Sequence, residues 1–143
     1  MKAEMSERTQ EEILEIVRDK MQHNRYAQYN HFVITEIARD HVVVETEIIP
    51  DFCNASGSVH GGLYYTLSDF CGATTARTDG REYVTLSAQI HYLRAVSEGR
   101  IRAIGRIIKR GRTTVLSAVE VFGEGDTLLT TASVEMYCVG DSL

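Results

Sequence analysis

Apolar residues recur at helical spacing early in the chain, where Ile13, Ile16, Val17 and Met21 stand among charges between about Thr9 and Asn24. The pattern predicts an amphipathic surface helix, packed as a lid. Two β-branched runs follow, HFVITEIA and HVVVETEII, separated by Arg39-Asp40 and closed before Pro50, and they predict a hairpin. The segment DFCNASGSVHGG has the Asn, Ser and Gly density of a loop. From His60 to about Thr78 the chain is apolar or small on nearly every face, with Asp69 in its middle. Such a helix is buried on most sides. Strict alternation then sets Val84, Leu86, Ala88, Ile90 and Tyr92 on one face of a strand, and Thr85, Ser87, Gln89 and His91 on the other. Three more strand-like runs, IRAIGRIIK, TTVLSAVEVF and TLLTTASVEMYCV, are joined by turns at Lys109-Arg110-Gly111 and Gly123-Glu124-Gly125, which predicts an antiparallel meander.

The order is helix, two strands, one buried helix and four strands, an α+β arrangement in which a curved antiparallel sheet wraps the central helix. A helix laid on a flat sheet would carry a polar side, and this one shows none. At 143 residues the chain fits one domain, 1–143, with 1–27 as an N-terminal helical extension.

Composition narrows the function. A net charge of -5 disfavours a polyphosphate partner, so nucleic acid is not expected. Cys53, Cys71 and Cys138 are an odd set with no C-x-x-C pair, read as reduced thiols. No apolar run resembles a signal peptide or a membrane span, so a cytoplasmic protein without membrane contact is expected. His31 and His91 lack metal-ligand spacing, no metal is expected, and His23 and His41 read as structural or exposed.

A carboxylate in a nearly apolar helix must be paired, neutralised or functional. From the helix alone, a structural Asp69 bonding a backbone group or a partner's arginine explains it equally well. At the helix start, His60-Gly61-Gly62 offers backbone N–H groups where the helix dipole favours negative charge, a candidate oxyanion site or, equally, a tight turn. The eight residues from Gly61 to Asp69 span roughly 12 Å of helix. Both cannot touch one carbonyl, so if both act, Asp69 meets the Gly61 of a second subunit with an antiparallel helix, as a two-fold dimer supplies.

Asn54, His60-Gly61-Gly62, Asp69 and Ser87, in the spacing N-x5-HGG-x6-D followed by the strand TLSAQI, resemble the hotdog-fold acyl-CoA thioesterases, specifically the phenylacetyl-CoA thioesterase-like branch. The resemblance covers about Phe32 to the C-terminus. It implies a homodimer, often a dimer of dimers, that hydrolyses an acyl-CoA or aryl-CoA to free acid and CoA with no metal or other cofactor. It further implies Asp69 as base or nucleophile, the Gly61 N–H polarising the carbonyl, His60 and Asn54 supporting that end by hydrogen bonding, and Ser87 holding water or orienting the acid from the partner subunit. Gly62 belongs to the same carbonyl end. The N-terminal helix is a variable addition with no catalytic role assigned.

For CoA phosphates the basic turn Lys109-Arg110-Gly111-Arg112 is the candidate, with Arg94 behind it; a solvated turn is the plain alternative. Tyr64, Tyr65 and Phe70 flank the catalytic positions as core or acyl-pocket aromatics, Tyr65 being the candidate substrate contact. Two other functions share the frame: an acyl-CoA-binding sensor without catalysis, and an acyl-thioester dehydratase, which needs a His and an acid placed for proton removal and is the less natural reading with His60 at the carbonyl end.

Overall fold

A computed structural model describes residues 7–143, and the first six positions of the expected extension lie outside them. Helix α1 (Gln10–Gln22) begins at Thr9, whose side chain accepts from Glu12 N while Glu12 reaches back to the Thr9 N–H, a reciprocal cap. Its apolar stripe buries Val17 and Met21, as the spacing predicts. A second helix, α2 (Arg25–Tyr29), follows where none was expected. Five residues carry too little periodicity to be read, and what starts the helix is the Asn24 side chain, accepting from Tyr26 N and Ala27 N.

Strands β1 (Val33–Ala38) and β2 (His41–Glu47) form the expected hairpin, closed where Asp40 takes a left-handed φ of 62°. The buried helix is α3 (Gly61–Arg77), followed by β3 (Glu82–Tyr92), β4 (Arg100–Arg110), β5 (Thr114–Phe122) and β6 (Leu128–Gly140). One six-stranded antiparallel sheet in the order β1-β2-β4-β5-β6-β3 curls around α3. Leu67, Cys71 and Ala76 of α3 lose all solvent contact against it. Two glycines permit that closeness: a Cβ on Gly72 would meet Ser117 Oγ at 2.8 Å, and one on Gly105 would strike Thr75 and Cys71.

The expected meander holds for β4 to β6 only. β3 does not pair with its sequence neighbour β4 but with β6, at the far edge, and β4 pairs with β2. Residues 93–99 make this crossing under the start of α3, where Leu93 N donates to Leu129 O, Val59 N to Val96 O and Ile48 N to Gly99 O. Closing the curl at that end is a long-range event that alternation within a strand does not encode.

The single alternation expected along β3 is also corrected. A bulge between Thr85 and Ser87 makes Leu86 an extra residue, so the side-chain phase flips there. Tyr83 and Thr85 point inward before it, while Ala88 and Ile90 pack on the core after it. Val84 and Leu86 are exposed instead of sharing the face of Ala88 and Ile90.

The basic turn moves too. Lys109 and Arg110 end β4, and the turn itself is 111–113. Arg110 folds inward at the end of α3, donating to Ala76 O and pairing with Asp40 and with Asp79, whose side chain is 6% exposed. Asp79 also accepts from Tyr83 Oη, Arg81 N and Arg81 Nε. Burial raises the Asp79 pKa, but these bonds and the Arg110 charge outweigh it and hold the carboxyl below its ordinary range.

Candidate active site

The sheet does not wrap α3 completely. Gly62, Tyr65, Thr66, Asp69 and Arg77 follow one another at helical spacing along a stripe that stays partly open. Asp69 is therefore half-buried on a cleft wall, not sunk in apolar surroundings as the sequence pattern implied. Thr85 Oγ1 donates to Asp69 Oδ1 at 2.7 Å.

Thr85 is the residue that sequence reasoning missed. Ser87 stands in register with Glu135 on the outer face of the sheet, while Thr85 pairs with the buried Met136 and faces the helix. The alternation placed both Thr85 and Ser87 on one face, and only the bulge separates them. No local signal marked its position.

At the start of α3 the structure gathers the other candidates. His60 caps the helix, its Nδ1 accepting from Gly62 N at 2.9 Å. That bond places the neutral ring's proton on Nε2 and makes Gly62 N–H unavailable to a substrate. Gly61, the first helical residue, has an N–H with no acceptor among the described residues, so it is the free donor of the pair. Tyr92 Oη donates to Gly61 O at 2.9 Å and its ring covers the glycine. Asn54 acts one step back: its Oδ1 accepts from Ser56 N and Ser58 N, shaping the loop that delivers His60.

Two clefts open along the stripe. One, of about 400 Å³, is lined by His60, Gly62 and Leu63 with Tyr29, His31 and Phe52. The other, of about 410 Å³, holds Asp69, Thr85, Tyr65 and Arg77 above the apolar Phe32 and Phe70. Tyr26 and Thr66 line both. Gly61 and Asp69 thus serve opposite ends of one stripe, as the helical spacing requires. Tyr64, by contrast, is core: it is buried, its ring faces Tyr92, and burial, reinforced by nearby Cys53, pushes its phenol up to about 12. Burial likewise pushes the Cys71 thiol up to about 12.

Of the phosphate candidates, Arg110 is consumed by Asp79 and Asp40, which corrects its assignment. Gly111 lies in the turn, its carbonyl accepting from Arg81. Lys109 and Arg112 are exposed and carry no side-chain ion pair among the described residues, and Arg94 is exposed as well. Among the described residues no three His, Cys, Asp or Glu side chains cluster as metal ligands, and no helix is long and apolar enough to cross a membrane.

Comparisons with known proteins identify the family and the fold. Residues 56–130 match the family model of the thioesterase superfamily. The protein smu.793 from Streptococcus mutans, solved bound to acetyl CoA, is 28% identical with a TM-score of 0.76, covering 78% of this chain and 91% of that one. A hypothetical thioesterase protein from Streptococcus pneumoniae, solved with coenzyme A, is 25% identical with a TM-score of 0.81, covering 87% and 98%. The E. coli PaaI protein from the phenylacetic acid degradation operon shares the fold, with a TM-score of 0.83 at 18% identity over 87% and 91%. The match spans the segment that carries His60, Gly61, Asp69 and Thr85, and this chain belongs to the thioesterase superfamily as a hotdog-fold thioester hydrolase.

Proposed function

We propose that the protein hydrolyses an acyl-CoA or aryl-CoA thioester to the free acid and CoA, in the cytoplasm and without a cofactor, as a homodimer that can pair again into a tetramer. The observation that carries this reading is the open stripe of α3, which presents a Thr85-held carboxylate and a free Gly61 N–H too far apart for one carbonyl. A second copy resolves the distance. β3 is an edge strand with Val84, Leu86 and Tyr92 exposed, and an antiparallel partner on that edge sets the two α3 helices in opposite directions. Asp69 of one protomer then faces the Gly61 of the other.

In this site the Gly61 N–H and the helix dipole stabilise the oxyanion that forms as the thioester carbonyl is attacked. Asp69 either takes a proton from the attacking water or attacks directly to give a mixed anhydride that water then opens. In both routes the C–S bond breaks and CoA leaves as the thiolate, which takes up a proton. Lys109 and Arg112 hold the CoA phosphates. Two relatives support the reading: one was solved with acetyl CoA and one with coenzyme A. In the S. pneumoniae protein, solved mutants replace an aspartate and a threonine at the same separation of sixteen as Asp69 and Thr85. The three free cysteines suit a reducing compartment.

Thiol release from short, medium, long and aryl acyl-CoAs, with wild type and Asp69→Asn side by side, tests the proposal. Asp69→Asn should be slower by about 10²-fold or more; equal rates, or acyl-CoA binding without thiol release, would remove Asp69 from the chemistry. Mixing Asp69→Ala with Gly61→Pro subunits tests the shared site, since proline is tolerated at the first helical position. Heterodimers should regain one working site.

A further inference from the structure

One cation in the cleft beside Asp69 has no ion pair among the described residues. Arg77 lines that cleft with Asp69, over an apolar floor of Phe32, Phe70 and Met136. The N-terminal helices α1 and α2 wall it as well, through Met21 and Ala27. Arg77 Nη1 donates to Ala73 O at 3.1 Å and Nη2 to Tyr83 O at 2.7 Å, while Nε is buried with no hydrogen-bond partner among the described residues. These bonds strap the last turn of α3 to β3. Carbonyl dipoles offset part of the charge, but they supply no opposite one. The acids around it are engaged elsewhere: Glu82 pairs with Lys20, Asp79 with Arg81 and Arg110, and Asp69 accepts from Thr85. Taking the proposed thioester hydrolysis as given, we infer that Arg77 receives a carboxylate at the far end of the acyl group, so that the substrate class is the CoA thioester of a short dicarboxylic acid.

The spacing fits such a substrate. Ala73, whose carbonyl holds Nη1, stands four residues beyond Asp69, roughly 6 Å along the helix axis. An extended chain advances roughly 3.5 Å per three bonds, so about five bonds lead from a carbonyl carbon at Asp69 to a carboxylate at Arg77, the length of an adipoyl group. The guanidinium has N–H donors beyond the two that hold carbonyls, in the fork geometry that suits a carboxylate.

The electrostatics point the same way. Burial lowers the Arg77 pKa, and Glu82 and Asp69, beyond ion-pair distance, oppose this only in part. An anion docked against the guanidinium supplies the missing charge, and the apolar floor strengthens the attraction. In an otherwise apolar pocket, a single placed charge fixes which ligand end goes where. Without Arg77, the same carboxylate would meet Asp69 as a like charge, so the cation decides the sign of the preference. The C–S bond breaks and water supplies the new oxygen, so the products are a free diacid and CoA.

The test compares adipoyl-CoA with its methyl ester and with hexanoyl-CoA, which keep the chain and lack the charge, and uses phenylacetyl-CoA as a reference. Thiol release gives kcat/KM for intact wild type, Arg77→Gln and Arg77→Lys, each checked for thermal unfolding. Wild type should favour adipoyl-CoA over both neutral analogues by about tenfold or more, as a hydrogen bond to a charged group allows. Arg77→Gln should reverse that ratio, and Arg77→Lys should keep part of it. A purely structural arginine would lower all substrates together, so an unmoved ratio in the folded variants would overturn the inference. A wild type that prefers the neutral analogues would overturn it too, and the wild-type ratio with Arg77→Lys decides the matter if Arg77→Gln does not fold. Release from phenylacetyl-CoA but not from adipoyl-CoA would sink this inference and leave the parent reading standing. No release from any of the four by wild type would remove the parent reading, and this one with it.

Discussion

Thr85 donates its hydroxyl to Asp69 across the gap between the edge strand and the central helix, at 2.7 Å. The bond engages Oδ1 and leaves Oδ2 without a partner among the described residues. One oxygen is thereby oriented and the other is free to act on water or on a carbonyl carbon.

Thr85→Val keeps the shape of the side chain and removes the donor. Since a hydrogen bond to a charged group contributes about 1.5–3 kcal/mol, kcat for thiol release should fall by about 10-fold or more. KM and the melting temperature should change little, because Thr85 is exposed. Ser87→Ala, altering the outer face, should have a much smaller effect, and equal losses from the two variants would show that the bulge does not sort their roles.

His60 holds the start of α3 through Gly62 N. His60→Ala should lower stability by about 1 kcal/mol, as loss of a helix cap does, and His60→Asn should restore most of it. Chemical unfolding of the three proteins reads this directly; an unchanged midpoint for His60→Ala would mean the cap contributes nothing.

Asp79 neutralises Arg110 in a nearly dry setting, the two side chains being 6% and 16% exposed. Asp79→Ala leaves Arg110 with only the half-exposed Asp40 as counter-charge and should cost about 1–3 kcal/mol. The same carboxyl makes stability depend on pH. Its folded pKa lies below the ordinary range, so its contribution is complete above the unfolded value of about 3.9 and is lost as pH falls through the lower folded value. Urea midpoints measured from pH 7 downward should therefore drop for wild type below about pH 4, and drop less for Asp79→Asn, whose baseline is already lower.

In the proposed function Lys109 and Arg112 are the cations that hold the CoA phosphates. Exposed ion pairs contribute about 0.2–1 kcal/mol, so Lys109→Gln and Arg112→Gln should each raise KM for acyl-CoA by up to about fivefold. A truncated acyl-N-acetylcysteamine substrate, which has no phosphate, should show no change. Arg110→Gln should instead lower the melting temperature, because that guanidinium holds the C-terminal end of α3 to the sheet.

Much of this molecule is legible from local pattern. Ile13, Val17 and Met21 announce α1 because a helix that packs on one side repeats its apolar residues with its own turn. The apolar run around Leu67 and Cys71 announces a helix enclosed by sheet, and His60-Gly61-Gly62 with Asp69 marks both ends of the proposed chemistry. What escaped is of another kind. α2 depends on the Asn24 cap more than on periodicity, and β3 finds β6 only once residues 93–99 have crossed beneath α3. Arg110 reads as a surface cation until Asp79 and Asp40 are seen to enclose it.

The sequence by itself determined α1, α3 and the six strands, the α+β class and the carboxylate and glycine pair, since each is written in the spacing of neighbouring residues. Only the tertiary structure decided that Thr85 rather than Ser87 reaches Asp69, that a stripe of α3 stays open, and that α1 and α2 wall the cleft beside it. Those outcomes turn on one extra residue in a strand and on contacts between segments far apart in the chain, where a shift of a single position reverses the side a side chain faces.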